Sequence, residues 1–243
     1  MNQFSLKIKI IIFVFLISTN SHGLSSSAYL IVQSAISSND YYTASRYYFE
    51  IEGSNLNLRN LEQKMISFIN SNNFKEALTI AKKINQVDIN NEKAWIIILL
   101  ANFSDLDKKN DQFKKIEKLG LIKNFNILKY IFYNNENVKK EIDIISNSLL
   151  DIAKIATNEK IESIDNYKNL LFYINLSLYV NPTFNEGLFF SAFIYQELNN
   201  FIMAEKIYNM IDKNSFLYLE GQMNIILNKK TSGYIDEAEE LLK

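Results

Sequence analysis

Residues 185–218 read NEGLFFSAFIYQELNNFIMAEKIYNMIDKNSFLY, and this stretch contains the pattern that decides the fold. Leu188, Ala192 and Tyr195 recur at intervals of three or four residues, so they lie on one face of a predicted helix. The turn that follows is Asn199-Asn200, and Asn39-Asp40 and Asn72-Asn73 are predicted to form corresponding turns earlier in the chain. A second helix is predicted after it, with these residues on one face: Phe201, Ala204, Tyr208 and Ile211. The stretch therefore predicts a hairpin of two antiparallel helices.

A small residue recurs at the same place in the second helix of four such hairpins. These residues are Ala44, Ala77, Ala204 and Ala238. The first two are 33 residues apart and the last two are 34 residues apart. A small side chain at this place allows the two helices to approach closely. A fixed period of this length is typical of repeat proteins in which helical hairpins stack.

With these features the chain resembles the tetratricopeptide repeat (TPR) family. Trp95, Pro182 and Gly233 stand at the family's Trp, terminal Pro and turn Gly places. Units in this register begin at Ser25, Leu58, Glu92, Asp151, Asn185 and Leu219. The resemblance implies an all-α fold, a TPR-like α-solenoid of about six to seven stacked antiparallel helix hairpins, some of them degenerate.

The same register predicts how the chain is organised. Residues 24–121 hold the first three repeats, and residues 151–243 form a C-terminal block of repeats. Residues 122–150 fit no unit and are predicted to be a degenerate helical connector. In the third unit Asp111 and Lys115 stand at places that are normally small and apolar, so its second helix is expected to be short or shifted.

The amino-terminal segment, residues 1–23, has the features of a secretory signal peptide. Lys7 and Lys9 precede the uncharged apolar run 10–17, and Ser21-His22-Gly23 provides a small-x-small exit. A short uncleaved anchor is the alternative, although a helix that spans a membrane needs about 20 apolar residues. Either interpretation predicts a protein that is exported, most simply to the periplasm of a Gram-negative bacterium, with inner-membrane anchoring if the segment is retained.

Composition excludes several classes of function. The net charge of −1 offers no broad basic surface for nucleic acid. The chain has no Cys, and its single His, His22, lies in the leader, so thiol catalysis and most His-based or metal-based chemistry are not expected. No cofactor, metal site or catalytic residue is predicted. The alternative is a helical accessory domain or cell-envelope enzyme that uses the acidic face formed by Glu159, Glu162 and Asp165.

The resemblance implies instead that the concave groove binds a protein or peptide. The family's groove-facing places are occupied here by Tyr29, Gln33, Arg59, Glu62, Ile66, Lys93, Ile96, Leu100, Glu186, Phe189, Phe193 and Glu197. Phe189 and Phe193, with Phe190, could anchor an apolar side chain of a partner, but aromatic residues at helical spacing more often pack in a core. The predicted function is an exported, non-enzymatic interaction scaffold. A membrane-tethered structural oligomer is a further alternative.

Overall fold

In a computed structural model of the protein, residues 26–51, 57–102, 106–120, 138–158 and 164–242 are described. These residues form twelve helices and no strand, which confirms the all-α prediction for this part of the chain. In chain order they are α1 (26–37), α2 (Tyr41–Tyr48), α3 (Leu58–Asn70), α4 (Phe74–Val87), α5 (Glu92–Ala101), α6 (Leu106–Lys118), α7 (Val138–Asn158), α8 (Ile164–Val180), α9 (Asn185–Glu197), α10 (Phe201–Tyr208), α11 (Leu217–Thr231) and α12 (Ile235–Glu240).

Four helix-to-helix turns share one backbone geometry. Asn39, Asn72, Asn199 and Gly233 all have positive φ angles, between 57° and 86°. In each turn the N–H of the next residue donates to the carbonyl five positions earlier, at 2.7–2.9 Å. This is the Schellman arrangement, which ends a helix with a residue in the left-handed region, where Gly and Asn are tolerated. The Asn-containing turns predicted from the sequence therefore end α1, α3 and α9 in the same way as the turn at Gly233 ends α11.

The small residues after these turns lie where the two helices of each hairpin meet. Ala44, Ala77, Ala204 and Ala238 are all buried. The two helices of a hairpin contact each other in α3–α4, in α9–α10 and in α11–α12. A Cβ without further atoms lets the backbones approach, and the larger side chains beside it fill the interface. The local repeat that the sequence predicts is thus visible in the described hairpins.

The described helices do not all stack only on their neighbours. α3 contacts α8, which lies about a hundred residues later in the chain. The α7–α8 hairpin contributes to both apolar cores of the molecule: Phe172 and Leu176 belong to the core formed by α1–α6, whereas Leu170 and Ile174 belong to the core formed by the later helices. In a solenoid each hairpin contacts only its neighbours. The contact between α3 and α8 therefore joins the hairpins of the first three repeats, here called the first block, to those of the C-terminal block.

Helix α7 crosses the boundary at residues 150/151 that the sequence pattern predicts between connector and C-terminal block. Ile145, Leu149 and Ala153 are buried at four-residue intervals, so one apolar face continues through the boundary. The third unit's second helix, α6, spans thirteen residues, with Asp111 and Lys115 exposed and Ile116 buried. The predicted leader, residues 1–23, and residues 122–137 of the predicted connector lie outside the described residues.

Among the described helices, none combines the length and the apolar character that crossing a bilayer requires.

Candidate functional site

One of the predicted groove residues of α3 and α5, Lys93, lies against α8 of the same chain. Lys93 Nζ donates to Asn169 Oδ1 at 2.6 Å and stands 5.6 Å from the centroid of the Phe172 ring. Burial lowers the pKa of Lys93, although the nearby carboxylate of Glu62 acts in the opposite direction. Ile96 has 1% of its surface exposed and is a core residue, so it leaves no side-chain surface for a partner.

The remaining predicted residues of the first block do not converge on one surface. Tyr29 and Arg59 are exposed, whereas Gln33 is half-buried. Glu62 accepts a hydrogen bond from Asn91, the N-cap residue of α5, and so contributes to packing between α3 and α5. The last two residues, Ile66 and Leu100, face the interior. Ile66 packs against the first core, and Leu100 is buried in it. In the first block, therefore, the α7–α8 hairpin and the core cover much of the predicted groove.

The predicted residues on α9 keep part of their surface exposed. Phe189 lies edge-on to Tyr208 with ring centroids 5.6 Å apart, and Phe193 stacks with Phe190 at 6.1 Å. Both phenylalanines are half-buried and pack against the second core. Glu186 is half-buried, and exposed Glu197 accepts a hydrogen bond from the hydroxyl of Tyr167 at 3.5 Å.

Helix α11, which contacts α9, carries apolar residues on two opposite faces. Its buried face contains Leu217, Gly221 and Ile225 and packs towards α9 and α10. The opposite face is exposed and also apolar, with the following members: Phe216, Leu219, Met223 and Leu227. These four side chains, here called the α11 stripe, are between 53% and 80% exposed. A surface helix normally carries polar residues on the side that faces water, so the stripe is the unusual feature.

Helix α11 is fixed in position by packing and by charge. A Cβ on Gly221 would lie 3.3 Å from side-chain carbons of Tyr208 and Ile211, which shows how closely α11 approaches the preceding segment. Lys229 Nζ lies 3.2 Å from Glu205 Oε2 and 2.8 Å from Glu237 Oε2, which links α10, α11 and α12. The hydrogen bond to Glu237 raises the pKa of Lys229. Close packing and ion pairs therefore fix the position of the helix that carries the stripe.

Exposed charges of opposite sign flank the stripe. Glu220 lies near its amino-terminal end and Lys230 near its carboxyl-terminal end. The distance from Phe216 to Leu227 is eleven residues, or about 17 Å along a helix axis. The surface thus offers about three turns of apolar contact with an acidic and a basic end.

In the described part of the chain, no three His, Cys, Asp or Glu residues are placed to hold a metal ion. Of the acidic face predicted as the alternative, Glu159 and Glu162 fall outside the described residues, and the side chain of Asp165 is likewise not described. What α11 provides is a surface for apolar contact.

No protein-family model matches the chain, and no curated protein matches it significantly.

The sequence prediction missed the stripe because it mapped the groove places only as far as α9. The signal was present, since apolar residues at 216, 219, 223 and 227 have helical spacing. Residues 217, 221 and 225 also have helical spacing. A single sequence does not show which of these two faces of the helix is packed in the interior.

Proposed function

We propose that this protein is an exported, non-enzymatic interaction scaffold of TPR-like hairpins that binds an amphipathic helix of a partner protein on the α11 stripe. The observation that carries the proposal is the exposed apolar stripe of Phe216, Leu219, Met223 and Leu227. Contiguous exposed apolar surface on a soluble protein usually marks an interaction site. A helix that lies on a hydrophobic surface is a common recognition mode for such a site.

The TPR register supports this use of α11. In the unit that begins at Leu219, the family's groove-facing places 2, 5, 9 and 12 fall on Glu220, Met223, Leu227 and Lys230. The two apolar residues, Met223 and Leu227, thus lie between two charged ones. Among the groove places of the first block, Lys93 lies against α8, and Ile66, Ile96 and Leu100 pack in the core, whereas Met223 and Leu227 on α11 stay exposed.

The chemistry of the stripe defines the partner. The partner helix needs apolar residues over about three turns, because that is the length of the stripe. A basic residue on the partner would lie near Glu220 and an acidic residue near Lys230. These rim charges set orientation and association rate more than affinity. Met223 contributes an unbranched, adaptable side chain, which suits contact with partners of differing shape.

Export is part of the proposal and rests on the pattern of residues 1–23, with Lys7 and Lys9 before an apolar run. The periplasm of a Gram-negative bacterium is the proposed location. Contact with the membrane is expected only if that segment is retained, and neither nucleic acid nor a cofactor is a proposed partner.

The test uses a display library of random helix-forming peptides, selected on the purified protein. We expect the recovered peptides to carry an apolar stripe, and their binding to weaken about tenfold or more in the Met223→Ser/Leu227→Ser variant. The matched control is Val87→Ser/Ile202→Ser, since both residues are apolar and highly exposed but lie on other helices. Isothermal titration calorimetry gives the affinities.

Charge reversal tests the orientation. Glu220→Lys should select against peptides with a basic residue near that end and select for peptides with an acidic one. Recovery of no binding peptide, or of peptides that bind the Met223→Ser/Leu227→Ser variant equally well, would refute the proposal. Self-association that this same variant abolishes would make the occupant a second copy of the chain and would also overturn it.

A further inference from the structure

A pocket with a volume of about 570 Å³ lies where the two blocks of hairpins meet. It is bounded by the turn after α1, the carboxyl-terminal ends of α3 and α8, and one side each of α9 and α10. This junction pocket has the size of sites that hold small organic molecules, which range over about 300–1,000 Å³. It shares no residue with the α11 stripe.

The wall of the junction pocket is mostly apolar, and its charged residues lie at the surface. Leu178, Leu188 and Tyr195 are among the apolar or aromatic lining residues. The two charged lining residues, Asp40 and Lys206, are both exposed. A charged ligand group would therefore lose its hydration inside the pocket without gaining a buried counter-charge, which is costly. The wall favours an uncharged ligand.

Neutral polar side chains line the same pocket, and several of their atoms make no hydrogen bond to the described residues. Asn70 Oδ1 accepts from Asn175 Nδ2 at 3.0 Å, but the Nδ2 atom of Asn70 has no partner. Ser191 Oγ and Asn39 Oδ1 also lack one, and all three side chains are more than nine-tenths buried. Each such atom costs about 1–3 kcal/mol. These atoms, an acceptor, a donor and a hydroxyl, have almost no accessible surface, so a ligand that carries an amide or hydroxyl group reaches them only when the lining side chains turn towards it.

The mouth of the junction pocket carries apolar as well as charged side chains. Tyr42 and Met210 lie there beside Asp40 and Lys206, and both are more than half exposed. The pocket therefore has a mixed entrance, mostly apolar walls and uncharged hydrogen-bonding groups that are incompletely used.

We infer that the junction pocket is a binding site for a small uncharged amphiphile, a molecule with an aromatic or aliphatic body and one neutral amide, amine or hydroxyl group. The apolar wall holds the body, and the polar side chains of Asn39, Asn70 and Ser191 bind the neutral group. Because both blocks contribute to the wall, the bound molecule also stabilises the contact between them.

Two fluorescent probes of the same ring skeleton and different charge test the inference. The probes are N-phenyl-1-naphthylamine, which is uncharged, and 8-anilinonaphthalene-1-sulfonate, which is an anion. The uncharged probe should bind one-to-one and raise the melting temperature of the protein, because it binds the folded state only. The anion should bind about tenfold more weakly or worse, since its sulfonate has no buried counter-charge.

Variants locate the bound probe. Ile207→Trp places a larger side chain in the pocket wall and should abolish binding of the uncharged probe. Tyr42→Ala/Met210→Ala changes only exposed residues at the mouth, keeps the fold, and should weaken binding severalfold. Met223→Ser/Leu227→Ser, on the α11 stripe, should leave binding unchanged.

Equal binding of the two probes would overturn the inference, as would the absence of binding by the uncharged one. Binding by the uncharged probe that survives both pocket variants, or that the stripe variant abolishes, would overturn it as well. The proposed function on the α11 stripe is tested by peptide binding to other residues, so the failure of one does not decide the other.

Discussion

Replacing Ser191 with alanine should stabilise the protein, whereas most substitutions in a core destabilise it. Ser191 is fully buried on α9, and its hydroxyl makes no hydrogen bond to the described residues. Removal of an unsatisfied buried hydroxyl recovers about 1–3 kcal/mol of desolvation cost. Alanine is also the better helix former by a few tenths of a kcal/mol. The loss of one oxygen leaves only a small void. The expected net gain is about 1–2 kcal/mol in the free energy of unfolding.

Ser177 provides the matched control. It is equally buried, on α8, but its hydroxyl donates to the carbonyl of Ser146 at 2.8 Å. Ser177→Ala gains the same helix propensity and loses a hydrogen bond worth about 0.5–1.5 kcal/mol. The two variants should therefore change stability in opposite directions, or at least differ by about 2 kcal/mol. Comparison within the pair removes the propensity contribution from the argument.

Urea unfolding followed by circular dichroism at 222 nm measures the two free energies, and thermal unfolding checks them. For a chain of this size 1 kcal/mol corresponds to about 2–4 °C in melting temperature. If both variants lower stability by similar amounts, the Ser191 hydroxyl is satisfied in solution. That result would refute the reasoning that the junction pocket contains unused hydrogen-bonding capacity. If Ser191→Ala is more stable and binds the uncharged probe more weakly, the hydroxyl serves the ligand at the expense of stability.

Three further predictions concern the contact between the blocks, close packing of a helix, and pH. Asn175→Ala should lower the free energy of unfolding by about 1–3 kcal/mol in urea titrations, because it leaves the buried side-chain oxygen of Asn70 unsatisfied at the α3–α8 contact. An unchanged midpoint would contradict this. Gly187→Ala should be destabilising and Gly221→Ala near neutral in thermal unfolding, since a Cβ would meet neighbouring side chains at 2.9 Å in the first and 3.3 Å in the second; the reverse order would count against the α9 packing. Burial raises the pKa of Tyr173 to about 12 and also raises that of Tyr195, so the folded state holds these phenol protons more tightly than the unfolded state. Their contribution to stability is full below about pH 10 and is lost as the pH rises towards 12, so the parent protein should lose more helical dichroism over this range than the Tyr173→Phe/Tyr195→Phe variant; an equal loss in the two would argue otherwise.

The hairpins could be predicted from the sequence because their determinants are local. The Asn-containing turns at Asn39, Asn72 and Asn199 end their helices in one geometry, and small residues such as Ala77 and Ala204 follow at a fixed distance. Each of these choices is made within a few residues of the chain, by left-handed backbone propensity and by the spacing of apolar side chains. A single sequence therefore contains enough information to predict them.

The candidate sites depend on contacts that the local pattern does not contain. Ile96 stands at a groove place of its unit, yet it is buried. Conversely, Leu219 and Met223 were not among the predicted groove residues, yet they form part of the exposed stripe. Periodicity identifies a face as apolar, but the element that covers the face is decided by packing over long distances in the chain.

The sequence by itself determined that this chain folds as helices, where four of the turns lie, and which small residues separate the paired helices. Only the tertiary structure decided that α8 packs on α3, because that contact joins residues such as Asn70 and Asn175 across more than a hundred positions. The contact between α8 and α3 depends on the shapes of the two helices and on the apolar area that α8 buries on two of its faces. A repeat register specifies neither of these. The same contact places Lys93 of the predicted groove against α8 and forms part of the wall of the junction pocket, whereas the second apolar face of α11 stays exposed.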